Sequence, residues 1–203
     1  MRTPDERAAA FLKAITILRV FLVPIVMWLI LAEDDPQWAT AVATGLFAFA
    51  AVTDFFDGLL ARRWAQTSTL GAFLDTTADK LLVTGALFAL VAVGRASIWI
   101  ASIIVARELV VLGLRGVVAA GDGTVVKPSI WGKLKANAQF LAIILAIWRP
   151  DIVIGDRYLD QWVMLAAGII TVLSAVEYFT RFGAVFRRGP RATAPSRPPA
   201  PGA

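Results

Sequence analysis

Six apolar runs, each close to the length of a bilayer-crossing helix, follow one another along this chain, and that recurrence constrains the fold most. They cover residues 14–32, 38–61, 74–94, 97–120, 134–148 and 159–178, with short polar breaks between them. A helix needs ~20 residues to cross ~30 Å of hydrocarbon. Charge interrupts the second, fourth and fifth runs, so the count rests on spacing as well as hydropathy. Hydrophobic residues make up 58% of the 203 residues and charged residues only 17%. A soluble domain carries roughly 45–50% and about 25%. The excess apolar surface calls for lipid as its solvent. The chain reads as an all-α integral membrane protein with six transmembrane helices.

Basic residues orient these helices. With both termini in the cytoplasm, the inside segments hold fourteen Lys and Arg residues, and the outside loops hold only Arg95, Arg149 and Arg157. Arg19, Lys80 and Arg107 lie within the apolar runs. That asymmetry is the positive-inside pattern, and it predicts a multi-pass protein of the cell membrane with cytoplasmic termini. The acidic Glu33-Asp34-Asp35 loop then falls outside. The net charge of +5 is read as topology and attraction to anionic lipid rather than to nucleic acid.

The ends of the chain differ from its middle. Thr3 as N-cap, Pro4 at the first helical position and Glu6 closing a capping box predict a helix start. Phe11 and Leu12, set among Arg7 and Lys13, make residues 1–13 an amphipathic helix on the inner membrane surface. Arg19 interrupts the apolar core that a cleaved signal peptide needs, and is itself read as snorkelling to lipid phosphate. Residues 14–185 form the six-helix domain. Residues 186–203 hold five of the ten prolines and read as a disordered cytoplasmic tail.

Cysteine and histidine are both absent. Disulfides, thiolate metal sites and His- or Cys-based catalysis are excluded. Any metal must be held by oxygen, which selects Mg²⁺, Mn²⁺ or Ca²⁺. Any general base must be a carboxylate or a lysine.

The chemistry concentrates between residues 54 and 80. Asp54 and Asp57 are three apart and Asp75 and Asp79 four apart, so each pair shares one face of its helix. A short polar turn around Ser68 joins the two helices and brings the four acids to one place. Gly58 and Gly71 leave room for a close backbone or a bulky ligand. A lone Asp54 would read as a helix-end cap. Four acids in fixed register at a membrane boundary repel one another and lose hydration, so a cation must balance them. One or two hard divalent ions fit, and a two-metal site suits phosphoryl transfer. Arg62 then offers positive charge to a phosphate-bearing substrate.

The pattern Asp54-x2-Asp57-Gly58-x2-Ala61-Arg62-x8-Gly71-x3-Asp75-x3-Asp79 resembles the signature of the CDP-alcohol phosphotransferases, with every position present. These membrane enzymes have six transmembrane helices and move a phosphatidyl or similar group from a CDP-linked donor to an alcohol, releasing CMP. The resemblance covers roughly residues 12 to 182. It implies that Asp54, Asp57, Asp75 and Asp79 hold two divalent ions, with Mg²⁺ the expected pair, and that Asp79 is also the general base. It implies that Gly58, Arg62 and Ser68 contact the CDP-lipid, and that Ala61 and Gly71 let the helices close around the nucleotide.

The acceptor is read from other residues. Ala106-Arg107-Glu108-Leu109, Gly113-Leu114-Arg115, Gly132-Lys133-Leu134-Lys135 and Gln139 are similar to the branch of bacterial phosphatidylglycerophosphate synthases, which use glycerol 3-phosphate. Lys13 and Ala136 depart from that branch, where asparagine and threonine are usual. A phosphorylated acceptor needs cations within reach, and Arg107, Lys133, Lys135 and Arg181 are the candidates. Each also has a plain reading. Lys133 and Lys135 serve equally as positive-inside anchors, and Arg181 can pair with Glu177. Glu108 points about 100° from Arg107, so Arg107 needs another partner. The partners expected are CDP-diacylglycerol, glycerol 3-phosphate, the lipid bilayer and a second copy of the chain as a homodimer. Inositol phosphate or phosphatidylglycerol as acceptor is the nearest alternative. A cation carrier is more distant, because it calls for mid-membrane acids and a repeated helix pattern.

Overall fold

The computed structural model describes the backbone over residues 4–32, 37–64, 69–122 and 130–187, and side chains over 14–32, 37–53, 77–114, 116, 132 and 134–180. Six helices account for nearly all of it: α1 (Pro4–Leu31), α2 (Gln37–Trp64), α3 (Thr69–Ala92), α4 (Ile98–Asp122), α5 (Ile130–Trp148) and α6 (Leu159–Arg187). Each apolar run falls on one helix. By length and composition, α1 over Ala14–Leu31 and α6 over Leu159–Thr180 suffice to cross a membrane, and Gln37–Thr53 and Leu134–Trp148 are shorter apolar stretches. Helix α1 continues from Pro4 through Pro24 without a break. Within the segment read as a surface helix, the described residues 4–13 are helical and run on into the first apolar run. Beyond Arg187, the tail lies outside the described residues.

The surface is strongly apolar. Phe21, Trp28, Phe49, Phe88, Trp99, Leu109 and Val176 all stand exposed, Trp99 at 78%. Arg19, Glu108, Lys135, Gln139, Asp160, Thr171 and Ser174 are buried, and much of the remaining core is alanine. Apolar patches of this extent are not left in water. Small residues at helix interfaces and polar ones inside are the packing of helices in lipid. Hydroxyls without a distant partner return to their own helix: Thr44 Oγ1 donates to the Thr40 carbonyl at 2.8 Å and Thr53 Oγ1 to the Ala50 carbonyl at 2.9 Å.

Helix α1 packs chiefly along α3, and α5 along α6. Gly85 permits the first pairing, since a Cβ there would stand 2.7 Å from Val23 Cγ1 on α1. Phe47 of α2 meets Phe140 of α5 with ring centroids 6.0 Å apart. Helix α3 ends in a Schellman motif: Gly94 takes φ +68°, the Arg95 N–H reaches the Leu90 carbonyl at 2.8 Å and the Gly94 N–H reaches Val91 at 3.1 Å. Only glycine adopts that φ freely.

One element was not anticipated. Between α5 and α6, β1 (Val153–Ile154) and β2 (Arg157–Tyr158) form an antiparallel hairpin, Val153 opposite Tyr158. Its two-residue loop places Gly155 at φ +67° and Asp156 after it, which suits a type II′ turn. Two-residue strands give too little alternation to register against the long helical runs.

Candidate active site

The acidic signature divides between two successive helices. Asp54, Asp57, Gly58, Ala61 and Arg62 lie on α2, and Gly71, Asp75 and Asp79 on α3, with residues 65–68 linking the two. The i, i+3 and i, i+4 pairs are thus helical, and each shares a face. Asp79 is half-buried. The side chains of Asp54, Asp57, Gly58, Ala61, Arg62, Gly71 and Asp75 lie outside the described residues, as does Ser68 altogether. Among the described residues, no three potential ligands converge. The donor set by composition is all oxygen, which fits a hard divalent ion.

Directly after Asp79, Lys80 begins a buried cluster that ties four helices together. Lys80 Nζ of α3 donates to Glu108 Oε2 of α4 at 3.1 Å. Lys135 Nζ of α5 donates to the other oxygen, Oε1. Arg107 Nη1 stands 3.4 Å from that same oxygen, and its Nη2 donates to Ser174 Oγ of α6 at 2.7 Å. Glu108, Lys135 and Ser174 are each at most 7% exposed. One turn further along α5, Gln139 Nε2 donates to Thr171 Oγ1 at 2.9 Å, and that hydroxyl donates onward to the Ala167 carbonyl. Among the described residues, three cations share one carboxylate, an excess of two positive charges.

Several sequence expectations change here. Arg107 does reach Glu108, at 3.4 Å, and Ser174 is its second partner. Lys135 is no interfacial anchor: it is 6% exposed and paired in the interior. Of the other acceptor candidates, Lys133 and Arg181 have side chains outside the described residues. Arg19 does not snorkel to the surface: it is buried, at 1% exposure. It lines an apolar cavity of about 250 Å³ with Leu22, Phe49, Ala50 and Thr53, the last of these next to Asp54.

Glu108 as its hub and Ser174 were not singled out from sequence, and Lys80 was assigned no role. Glu108 carried a usable signal. A carboxylate inside an apolar run must meet a cation, and Arg107, Lys80 and Lys135 were all in view.

A family model described as CDP-alcohol phosphatidyltransferase matches residues 12–173. A protein of Sodalis glossinidius named CDP-diacylglycerol--glycerol-3-phosphate 3-phosphatidyltransferase is 40% identical over 169 residues, 81% of this chain and 90% of that protein. Proteins with the same name from Pectobacterium atrosepticum and Yersinia pestis are similar too. The first is 39% identical, covering 80% of this chain and 91% of the relative. The second is 41% identical, covering 81% and 90%.

Proposed function

This chain belongs to the CDP-alcohol phosphatidyltransferase family, and we propose that it transfers a phosphatidyl group from CDP-diacylglycerol to sn-glycerol 3-phosphate, giving phosphatidylglycerophosphate and CMP. The observation that carries the acceptor is the cluster of Lys80, Arg107 and Lys135 on Glu108. A phosphate monoester carries about −1.5 to −2 at neutral pH, which matches the excess of two positive charges. Phosphatidylglycerol, a singly charged diester, matches it less well. The relatives' shared name favours glycerol 3-phosphate over inositol phosphate, which carries the same monoester.

The reaction assigns roles to this chain's residues. Asp54, Asp57, Asp75 and Asp79 would hold two hard divalent ions, Mg²⁺ or Mn²⁺, which would supply charge neutralisation at the donor diphosphate. Arg62 and Ser68 contact the CDP-lipid, with Gly58, Ala61 and Gly71 giving it room. Arg107 and Lys135, joined by Lys133 and Arg181, hold the acceptor phosphate and orient its hydroxyl. Asp79 takes the proton from that hydroxyl, whose oxygen attacks the β-phosphorus, and CMP leaves. The protein crosses the membrane six times, with termini and site on the cytoplasmic side, as the basic residues favour.

Membranes containing the protein, given labelled CDP-diacylglycerol and each acceptor separately, test this reading. Phosphatidylglycerophosphate should form with glycerol 3-phosphate. Product formed only with inositol phosphate or only with phosphatidylglycerol would replace the acceptor.

A further inference from the structure

At the end of the bundle remote from Asp79, a cavity of about 360 Å³ opens between the α3–α4 turn and the start of α6. Its polar wall carries Arg95, Ser97, Arg157 and Gln161, and its floor is Ile100, Met164 and Leu165. Arg95 is held in place by donating from Nη1 to the Ile147 carbonyl at 3.0 Å, at the last turn of α5. The Arg157 guanidinium stands 5.7 Å from the centroid of the Trp162 ring. Ser97 caps α4, its carbonyl accepting from the Ala101 N–H at 3.0 Å, and the first turn of α4 holds no acid. The positive end of that helix therefore faces the same space as the two arginines. Asp160 in the first turn of α6 is buried at 2% exposure, and no acid is among the residues that line the cavity.

Tryptophans fix the depth of this cavity. Trp28, Trp38, Trp99, Trp148 and Trp162 stand at the end of α1, the start of α2, the start of α4, the end of α5 and the start of α6. All five are exposed, from 41% to 78%. Tryptophans gathered at one end of a helical bundle mark the headgroup level of a bilayer, and the cavity lies within that ring. Ile98 and Trp99, both strongly exposed, lead from its rim toward the hydrocarbon. A charged wall, an apolar floor and an exit along lipid-facing side chains match an amphiphile with a phosphate head.

We propose that the cavity walled by Arg95, Ser97, Arg157 and Gln161 binds the phosphate of an anionic phospholipid from the leaflet opposite the acidic signature. The site rests on the membrane placement and is independent of the reaction assigned above. The purified full-length protein in detergent is titrated with dihexanoyl phosphatidylglycerol, dihexanoyl phosphatidylcholine or inorganic phosphate, and retained ligand is read by native mass spectrometry. The anionic lipid should bind most tightly. Arg157→Gln should weaken it at least about tenfold, the loss of one charge-assisted hydrogen bond, with further loss on adding Arg95→Gln. Since Arg95 also caps α5, Arg157→Gln decides alone if the double variant does not fold. Equal retention by wild type and Arg157→Gln would overturn the site. So would binding of phosphatidylcholine or of inorganic phosphate as tightly as the anionic lipid.

Discussion

Lys80 Nζ of α3 lies 3.1 Å from Glu108 Oε2 of α4, and Lys80 follows Asp79 directly in the chain. One buried carboxylate thus fixes the stretch of α3 that carries the proposed base and gathers the cations proposed for the acceptor. Glu108 need not touch a substrate to matter. Removing its charge would leave Lys80, Arg107 and Lys135 without the carboxylate they share.

That asymmetry is measurable as stability. Breaking a buried ion pair by removing one partner costs about 3–5 kcal/mol, because a charge is left uncompensated. Glu108→Gln should approach that cost. Lys135→Met keeps comparable volume and leaves Glu108 with Lys80 and Arg107, so it should cost clearly less. Denaturant unfolding of both variants in detergent gives the comparison. If Lys135→Met proves as damaging as Glu108→Gln, the carboxylate is not the hub.

Lys135→Met should nevertheless affect one substrate. A hydrogen bond to a charged group contributes roughly 1.5–3 kcal/mol, or about ten- to a hundredfold in affinity. The KM for glycerol 3-phosphate should rise within that range, while the KM for CDP-diacylglycerol changes little. A parallel rise in both KM values would make Lys135 structural only.

How much of this was legible in the sequence depends on range. The six helices were readable because a run of ~20 apolar residues carries its own evidence, and the acids because eight positions in register are local to two helices. The hub was not assembled, since Lys80, Glu108 and Lys135 are separated by 28 and 27 residues and meet only when α3, α4 and α5 pack. Arg19 was misread for the same reason. Position in an apolar run does not say whether a side chain faces lipid or a neighbouring helix. Arg107 was misjudged on geometry, because the 100° between adjacent positions ignores the reach of a long side chain.

Packing between α1 and α3 makes a separate prediction at Gly85. Even a Cβ would stand 2.7 Å from Val23 Cγ1 and 3.0 Å from Met27 Sδ. Overpacking of this kind costs about 1–3 kcal/mol, so Gly85→Ala should lower the unfolding midpoint. Gly45 on α2 has nothing within 4 Å of such a Cβ. Gly45→Ala should be neutral or stabilising, by up to about 1 kcal/mol of helix propensity. Equal effects at the two glycines would mean that α1 and α3 are not so closely apposed.

The role of Asp79 can be separated from that of a metal ligand. Turnover by the wild type should require a divalent cation, stop with excess chelator and ignore reductant, since the chain has no cysteine. If Asp79 only binds metal, raising Mg²⁺ should restore much of the turnover lost in Asp79→Asn, because weaker affinity yields to concentration. If it is the base, proton transfer is lost as well, an effect of about 10²–10⁴-fold that no metal concentration restores. Asp79 lies on α3 one turn beyond Asp75 and directly before Lys80, whose ammonium group joins the cluster proposed to hold the acceptor. A hydroxyl delivered there comes close to Asp79 and not to the start of α3. CDP-diacylglycerol binding should therefore survive in Asp79→Asn while turnover is lost. Recovery of most of the turnover at high Mg²⁺ would leave Asp79 as a ligand, with the acceptor deprotonated by water or by its own phosphate.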